Sequence, residues 1–532
     1  AGGRRSGMVR ALKYIAGGIV LVAAAVLAAL YLLPAEPIRF VNEPIAFANP
    51  LRIPPLAIPR IENGEKIFDL TVAVGATEFV AGRPTQTLGF NGSVLGPTLR
   101  AARGDRVRID VFNNLGETTT VHWHGMHLPP VMDGGPHQAI LPGGTWQPHW
   151  TVINEAATLW YHPHTLHKTG EQVYRGLAGL FLIDDENSAA LGLPAAYGVD
   201  DIPLIVQDRR FDAAGQLVYD NGHDATAAPG LFDNPPGMLG DTILVNGTLA
   251  PFLDVPASLV RFRVLNGSNA RRYDFGFADN RAFVQIATDG GFLEHPVERT
   301  RLLLAPGERA EILVDFAKSA APVVLMSYAV TDHVSAVTAL LQRLLAPGND
   351  QNQQFNIVEF RPRPATAPSA RIPETLNTIA RLDPAKAVKT RMFTLEFTGR
   401  TINGKAMDHA RIDEVVRRGD IELWDIRNDS IRYHPFHVHG VQFEVVSRSG
   451  QPPPPYERGW KDTVIVSPEE TVRLVMRFAD YADPTLPYMF HCHILEHEDM
   501  GMMGQFVVVD DPAAKVGIKS PLVDAPGGHE AH

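Results

Sequence analysis

The sequence contains very little cysteine and no excess of positive charge, and both shortages exclude whole classes of protein. Cys492 is the single cysteine among 532 residues, so the chain can form no intramolecular disulfide. The formal net charge of −11 gives no electrostatic basis for binding a nucleic acid. Structural zinc sites commonly use several cysteines, so the lone thiol also argues against a protein that folds around zinc.

The length and the spacing of turn residues predict an all-β protein with several domains. A chain of 532 residues is longer than one hydrophobic core supports, and about three domains are expected. The 42 prolines and 46 glycines separate short apolar runs that predict strands. Three such runs are Val107–Phe112, Leu259–Leu265 and Val472–Phe478.

A repeated pattern, in which a strand ends at an asparagine, indicates domains of one type. The three copies end at Asn113, Asn266 and Asn428. They are about 150–160 residues apart, which is a plausible domain length. We therefore expect domains at 61–190, 198–362 and 385–512, with linkers near 187–200 and 361–373.

The N-terminus contains a candidate membrane helix. Tyr14 to Leu33 is an uncharged apolar run of 20 residues, which is long enough to cross a bilayer. Four basic residues precede it, so the positive-inside rule predicts a periplasmic or other extracytoplasmic location for the rest of the chain. We expect 1–34 to be an uncleaved membrane anchor, with a cleaved signal sequence as the alternative. Residues 35–60 are predicted to be an extended proline-rich linker, and 513–532 a tail.

Four His-x-His pairs are the most informative pattern in the chain. Residues i and i+2 of a strand point to the same face, so each pair directs two imidazoles to one place. Cys492 lies inside the fourth pair and would face the opposite side, so one short segment can serve two metal sites. The pairs are His122 and His124, His162 and His164, His437 and His439, and His491 and His493.

A second set of metal ligands follows the cysteine. His497 lies five residues after Cys492, and Met502 lies five residues after His497. With one more histidine, for which the unpaired His434 is the natural candidate, these residues match a blue-copper site. Imidazole alone also suits zinc, iron and nickel, but the neighbouring Cys, His and Met favour copper. The rival axial ligands are Met500 and Met503.

The histidine pairs are divided between the two ends of the chain. The first predicted domain contains two pairs, the last contains two, and the segment between them contains none. We therefore expect a metal cluster at an interface between the outer domains. The middle domain is expected to be a spacer.

The chain resembles the three-domain bacterial multicopper oxidases, which include laccases and the periplasmic copper-efflux (cuprous) oxidases. The resemblance covers roughly residues 45–510. It implies three consecutive cupredoxin-like Greek-key β-sandwich domains, preceded by the anchor or signal helix. The segments that carry it are His122–Gly125, Trp160–His164, Lys168–Val173, Gly176–Leu180, His434–Gly440, Gly459–Val464 and His491–Met503.

The resemblance also implies four copper ions and two proton-relay carboxylates. The type 1 ion would be bound by His434, Cys492, His497 and the axial Met502. The type 2 ion would be bound by His122 and His437, and the type 3 pair by His124, His162, His164, His439, His491 and His493. The relay residues would be Asp133 and Glu498; the alternatives are a turn residue and a solvated carboxylate, respectively.

The implied activity is a laccase-like oxidation of phenols or aromatic amines by a monomeric enzyme, with dioxygen reduced to water. Electrons would enter at solvent-near edges of His434 or His497 and cross Cys492 to the flanking histidines. The alternative is oxidation of Cu(I) to Cu(II) in copper tolerance. A non-enzymatic scaffold, as some relatives with lost ligands are, is disfavoured because every ligand position is intact. A two-domain nitrite reductase would have no use for the paired histidines.

Two departures from the cuprous oxidases favour the laccase-like activity. No methionine, a soft ligand for Cu(I), occurs between Met326 and Met392. Ser430, with Asp429 beside it, occupies a position that is often aspartate in that subgroup. These departures imply a less covered type 1 site.

Overall fold

The computed structural model describes residues 37–220, 237–345, 352–365, 370–396 and 400–519. The predicted membrane or signal segment and the last part of the predicted tail lie outside these residues. Within the described ranges, no helix has both the length and the apolar character needed to span a membrane. The chain there is mostly β, with the short helices α1 (Thr169–Tyr174), α2 (Glu186–Ala190), α3 (Ala336–Leu345) and α4 (Leu495–Asp499).

The predicted linker lies against strands from the middle of the chain. Two short strands, β1 (Arg39–Phe40) and β2 (Asn49–Pro50), pair in parallel with residues 353–354 and 251–252. The linker is therefore extended, but it is attached to a sheet by backbone hydrogen bonds.

The first region contains two sheets that share one hydrophobic core. One sheet has the order β10-β7-β4-β3, with β5 and β9 added, and the other has the order β6-β12-β11-β8. The strands are β3 (Arg60–Glu62), β4 (Glu65–Val80), β5 (Arg83–Phe90), β6 (Leu99–Ala102), β7 (Arg106–Asn114), β8 (His122–His124), β9 (Thr145–Trp146), β10 (His149–Thr151), β11 (Ala157–His162) and β12 (Gly179–Asp184).

The middle region contains two larger sheets around a second core. Their orders are β15-β14-β13-β17-β22-β19-β20 and β2-β16-β24-β23-β18-β21. The strands are β13 (Asp201–Arg209), β14 (Thr242–Val245), β15 (Thr248–Leu249), β16 (Pro251–Pro256), β17 (Leu259–Asn266), β18 (Tyr273–Phe277), β19 (Phe283–Thr288), β20 (Gly291–Arg299), β21 (Leu302–Leu304), β22 (Arg309–Asp315), β23 (Val323–Tyr328) and β24 (Gln353–Arg363).

The last region again contains two sheets around a core of its own. Their orders are β25-β27-β31-β29 and β26-β33-β32-β28-β30. The strands are β25 (Lys389–Leu395), β26 (Glu414–Arg417), β27 (Ile421–Asn428), β28 (His434–Val438), β29 (Phe443–Arg448), β30 (Thr463–Val466), β31 (Thr471–Arg477), β32 (Asp483–Cys492) and β33 (Met503–Val509).

The division into three domains stays a prediction, which the three separate cores support. We call the three regions the first, middle and last domains. One linker starts later than expected, because β24 continues to Arg363 while the linker was expected from residue 361. Backbone pairing with β16 extends the strand over these prolines and arginines.

The repeated asparagines make the same set of hydrogen bonds in all three domains. Each side chain is buried, its Oδ1 accepts from the backbone N–H two residues later, and its Nδ2 donates to two backbone carbonyls. One carbonyl closes the loop that follows the strand, and the other lies on a more distant segment. The acceptor pairs are Glu117 and Ile140 for Asn113, Arg271 and Leu304 for Asn266, and Arg432 and Val466 for Asn428.

Candidate metal centre

Strand pairing brings the histidine pairs together in the same way in the first and last domains. In the first domain, His162 on β11 lies opposite His122 on β8. In the last domain, His491 on β32 lies opposite His437 on β28. Each antiparallel pair of strands therefore presents four imidazoles at one end of its sheet.

The eight paired histidines meet between the outer domains. All are buried, and they form three groups whose ligand atoms lie within 4.8 Å of one another. Each group combines residues of the first and last domains. The groups are His122, His437 and His439; His124, His162 and His493; and His164, His439 and His491.

Hydrogen bonds fix which ring nitrogen of these histidines is free. The Nδ1 atoms of His122 and His437 donate to the carbonyls of Asp133 and Asp462, at 2.9 Å and 2.8 Å. A carbonyl only accepts, so Nδ1 carries the proton and Nε2 keeps its lone pair. The Nε2 atoms of both histidines are buried and have no hydrogen-bond partner.

Burial keeps these imidazoles neutral. It lowers the pKa of every histidine in the three groups, and it lowers the pKa of His122, His491 and His493 to about 3. Neutral imidazoles with unpartnered, converging nitrogens are the donor set that a buried metal ion requires. The residues present therefore fit a cluster of metal ions.

A fourth group surrounds the cysteine. The Sγ atom of Cys492 lies 3.3 Å from Nδ1 of His434 and 3.6 Å from Nδ1 of His497. The two Nδ1 atoms are 3.3 Å apart, and all three residues are fully buried. Met502 is buried beside them, and its carbonyl accepts a hydrogen bond from the Cys492 N–H at 3.1 Å. Burial raises the pKa of the Cys492 thiol, so a bound cation would be needed to hold the thiolate.

The expectation of a less covered type 1 site, with solvent-near histidine edges, is wrong. His434 and His497 are both 0% exposed. Helix α3 packs beside this region, where Gln342 donates to the carbonyl of Ile431 at 2.9 Å. Sequence reasoning missed this contact because α3 belongs to the middle domain.

Asp429 and Ser430, which follow Asn428, do not affect the cysteine site in the way that the sequence comparison implied. Ser430 is buried in the turn that Asn428 closes, and its N–H donates to that side chain. The Asp429 carboxylate is exposed and forms an ion pair with Arg427. The Ser430 hydroxyl accepts from the N–H of Arg432, so the residue type at this position carries little information about the donor.

Two carboxylates predicted as relay residues lie against the paired histidines. Oδ2 of Asp133 accepts from Nδ1 of His439 at 2.8 Å. The Glu498 oxygens lie 3.3 Å from Nδ1 of His164 and 3.2 Å from Nδ1 of His491. Burial raises the pKa of both carboxyls well above the ordinary value.

Sequence reasoning missed a third carboxylate, Asp462, and the arginine that binds it. The Asp462 carboxylate lies 3.0 Å from Nε2 of His124 and forms two hydrogen bonds with Arg309 of the middle domain. The middle domain is therefore more than a spacer. The sequence signal for Asp462 was that Gly459–Val464 resembles the family. The resemblance assigned no role to the residues of this segment.

Comparison with known proteins identifies the family. Two segments, 71–188 and 375–512, match models described as multicopper oxidase, and they are the segments that contain the histidine pairs. Multicopper oxidase mco of Staphylococcus haemolyticus is 37% identical over 452 residues, which cover 84% of this chain and 90% of the relative. The chain belongs to the multicopper oxidase family. It is therefore a copper-dependent oxidoreductase.

Other relatives of the chain differ in what their names describe. A laccase of Pediococcus acidilactici has a TM-score of 0.77 and 35% identity, and the match covers 90% of this chain and 96% of that one. A metallo-oxidase of Campylobacter jejuni has a TM-score of 0.73 and 27% identity, covering 90% and 100%. The cell division protein FtsP of Xenorhabdus nematophila is 36% identical over 86% of this chain and 92% of its own length.

Proposed function

We propose that this multicopper oxidase binds four copper ions and couples four one-electron oxidations of a reductant to the reduction of dioxygen to two waters. The type 1 ion would be held by His434, Cys492, His497 and the axial Met502. The type 2 ion would be held by His122 and His437, and the type 3 pair by His124, His162, His164, His439, His491 and His493. Copper supplies the one-electron chemistry and the reduction of dioxygen.

The observation that carries this proposal is the set of unpartnered nitrogens. Burying a polar atom without a hydrogen bond costs about 1–3 kcal/mol, so such atoms are rare unless something binds them. Here the Nε2 atoms of His122, His434 and His437 and both ring nitrogens of His493 are buried without partners. Copper would satisfy the Nε2 atoms of His122 and His437 and one nitrogen of His493, whereas in His434 it is Nδ1 that faces Sγ of Cys492.

The chain's own residues organise the transfer of electrons and protons. Cys492 lies between His491 and His493, so the peptide backbone links the cysteine group to two cluster groups. Glu498 and Asp133 are buried against cluster histidines, where a carboxyl can hold a proton close to the reacting oxygen. Both are proposed as proton-relay residues. The absence of exposed cluster histidines keeps bulk water away from the site.

The proposed reductant is a small phenol or aromatic amine, as in laccases. Electrons would pass through the residues that cover His434 and His497, since neither imidazole reaches the surface. Helix α3, which contacts the turn before His434, contains neither methionine nor cysteine. This helix therefore supplies no soft ligand that would select Cu(I).

Cu(I) is the second candidate reductant. The complete burial of His434 and His497 favours it, because a bulky aromatic ring cannot touch either imidazole without displacing the cover. One of the structural relatives is itself a metallo-oxidase. Which reductant donates the electrons therefore depends on what binds at the surface above His434 and His497.

Steady-state oxygen uptake by the copper-loaded protein distinguishes the two donors. We expect a phenol such as dimethoxyphenol and an aromatic amine to support turnover without added copper ions. Turnover of Cu(I) far faster than of either aromatic reductant would replace the laccase-like proposal with the cuprous-oxidase one.

We also propose that the catalytic domains lie outside the cytoplasm. The basic residues before the apolar run at Tyr14 to Leu33 support this orientation. Fusing a reporter that is active only outside the cytoplasm to the C-terminus tests it, and an inactive reporter on an intact fusion would contradict it.

A further inference from the structure

Asp133 and Asp462 have matching positions in the two outer domains. The Asp133 carbonyl accepts from His122, and its carboxylate accepts from His439 of the other outer domain. The Asp462 carbonyl accepts from His437, and its carboxylate accepts from His124 of the other outer domain. The histidine rings that each aspartate joins are stacked, with centroids 3.8 Å and 3.7 Å apart.

The two halves of this arrangement differ in the orientation of one ring. His439 gives Nδ1 to its carboxylate, and its Nε2 lies 3.2 Å from Nε2 of His491. His124 gives Nε2 to Asp462, and its Nδ1 lies 3.4 Å from Nε2 of His162. Nε2 of His124 also lies 3.0 Å from Oγ1 of Thr463, so Asp462 and its neighbour together determine that Nδ1 of His124 faces the cluster.

The halves also differ in charge. Both oxygens of Asp462 bind Arg309, with Oδ1 at 2.6 Å from Nη1 and Oδ2 at 2.7 Å from Nη2. Both residues are 0% exposed. A carboxylate held in this bidentate way is neutralised and fixed in direction, so it acts on the imidazole and is a poor ligand for a cation.

Arg309 is itself held by all three domains. Its five N–H donors are all used: Nε donates to the Thr158 carbonyl, and the four others reach Asp462 and the carbonyls of Gly307 and Asp289. Thr158 belongs to the first domain, and Asp462 belongs to the last. No other standard side chain offers five donors in a fixed plane.

We propose that Arg309 is a positioning residue for the copper cluster, which fixes Asp462 so that His124 presents Nδ1 to the metal. This inference rests on the ligand set proposed above. Carboxylates that orient metal-bound histidines typically contribute about 10- to 100-fold to metal affinity. Arg309 acts one step further out, through Asp462, and it makes the middle domain a part of the metal site.

Chelator resistance of the copper-loaded enzyme tests this role. The wild type and Arg309→Met are dialysed against graded chelator, and the remaining copper and blue absorption are measured. We expect Arg309→Met to lose cluster copper at about 10- to 100-fold less chelator, while the blue absorption of the type 1 ion stays at the wild-type level. Arg309→Lys, which keeps the charge with three donors, is expected to fall between them.

Arg263→Met is the matched control. Arg263 is a buried arginine of the middle domain. It binds both oxygens of Asp201, and its Nη1 donates to Glu311 and Thr158, so its partners are not histidines. It should lower the unfolding midpoint of the copper-free protein without changing chelator resistance. Equal copper loss in Arg263→Met and Arg309→Met would overturn the proposal.

Three further outcomes keep the test decisive. If Arg309→Met does not accumulate as folded protein, Asp462→Asn should show the same selective loss of cluster copper, and wild-type resistance there would overturn the inference. A wild-type enzyme that binds only the blue copper would overturn the proposed ligand set itself. Full wild-type loading with an unaffected Arg309→Met would overturn the role of Arg309 alone.

Discussion

Sγ of Cys492 lies 3.3 Å from Nδ1 of His434, although 58 positions separate the two residues. The contact exists because β28 and β32 are antiparallel neighbours, with Phe436 opposite Cys492. One thiol and two imidazoles at such distances are the strong ligands of a blue-copper site.

Replacing the thiol should separate the two copper sites. We expect Cys492→Ser to lose the blue absorption and reductant-driven oxygen uptake, because the hydroxyl gives no thiolate link between His434 and the cluster. Copper bound by the paired histidines should remain. Elemental analysis and visible spectroscopy check this, and a blue Cys492→Ser protein would refute the assignment.

Three methionines compete as the axial ligand. We expect Met502→Leu to shift the type 1 reduction potential, because the axial ligand tunes it. Met500→Leu should leave the potential unchanged, since Met500 is only half-buried whereas Met502 is 0% exposed. Met503→Leu is the second control and should also leave the potential unchanged. Redox titration of the blue absorption measures all three, and a larger shift in either control would reassign the ligand.

The relay role of Asp133 predicts a specific loss of turnover. Asp133→Asn should bind copper fully but consume oxygen about 10²- to 10⁴-fold more slowly, as expected when a positioned proton donor is removed. Burial raises the pKa of Asp133, so the wild-type rate should fall as the pH rises through that pKa, and the variant should lack this limb.

Asp480→Asn is the control for that experiment. Asp480 also binds a histidine, His127 at 2.5 Å, but the pair is partly exposed and lies outside the cluster groups. Unchanged oxygen consumption by Asp133→Asn at copper saturation would remove Asp133 from the mechanism.

Gly125 should tolerate no side chain. Its φ is +86°, and a Cβ atom there would lie 2.8 Å from Nη2 of Arg309 and closer still to Asp462. Gly125→Ala should destabilise the protein by at least about 1 kcal/mol and weaken retention of cluster copper. Gly104→Ala has a similar φ of +93° but open space, so it should show the backbone strain without copper loss. Equal copper retention in both variants would contradict this prediction.

Asp274 should make the free energy of unfolding depend on pH. Burial raises its pKa from 3.8 to about 6, so between these values the folded state keeps a proton that the unfolded state releases. Wild-type stability should therefore fall as the pH rises from about 4 to 6, by up to about 3 kcal/mol, and Asp274→Asn should remove this slope. Asp279→Asn should have the opposite effect on the pH dependence of stability, because Arg281 lowers the pKa of Asp279. Denaturant unfolding of copper-free protein at each pH measures both, and parallel curves for Asp274→Asn and wild type would exclude the effect.

Local patterns in the sequence predicted the β architecture and the histidine sites, because they repeat over a few residues. The asparagine that ends a strand and the i, i+2 spacing of histidines are such patterns. Arg309 left no comparable signal, since its partners Thr158, Asp289 and Asp462 come from separate segments of the chain. The cover over His434 was predicted incorrectly for the same reason: Gln342 and Ile431 are 89 positions apart.

Every cluster group contains residues from both outer domains, and this determines when in the life of the chain the metal site can exist. Of the three histidine groups, a nascent or truncated chain that stops before His491 contains the residues of only one, the group of His122, His437 and His439. Copper that binds only the docked domains stabilises that docking by mass action. Full loading of the cluster therefore requires completed synthesis and folding, and copper shortage should remove this stabilisation from completed chains.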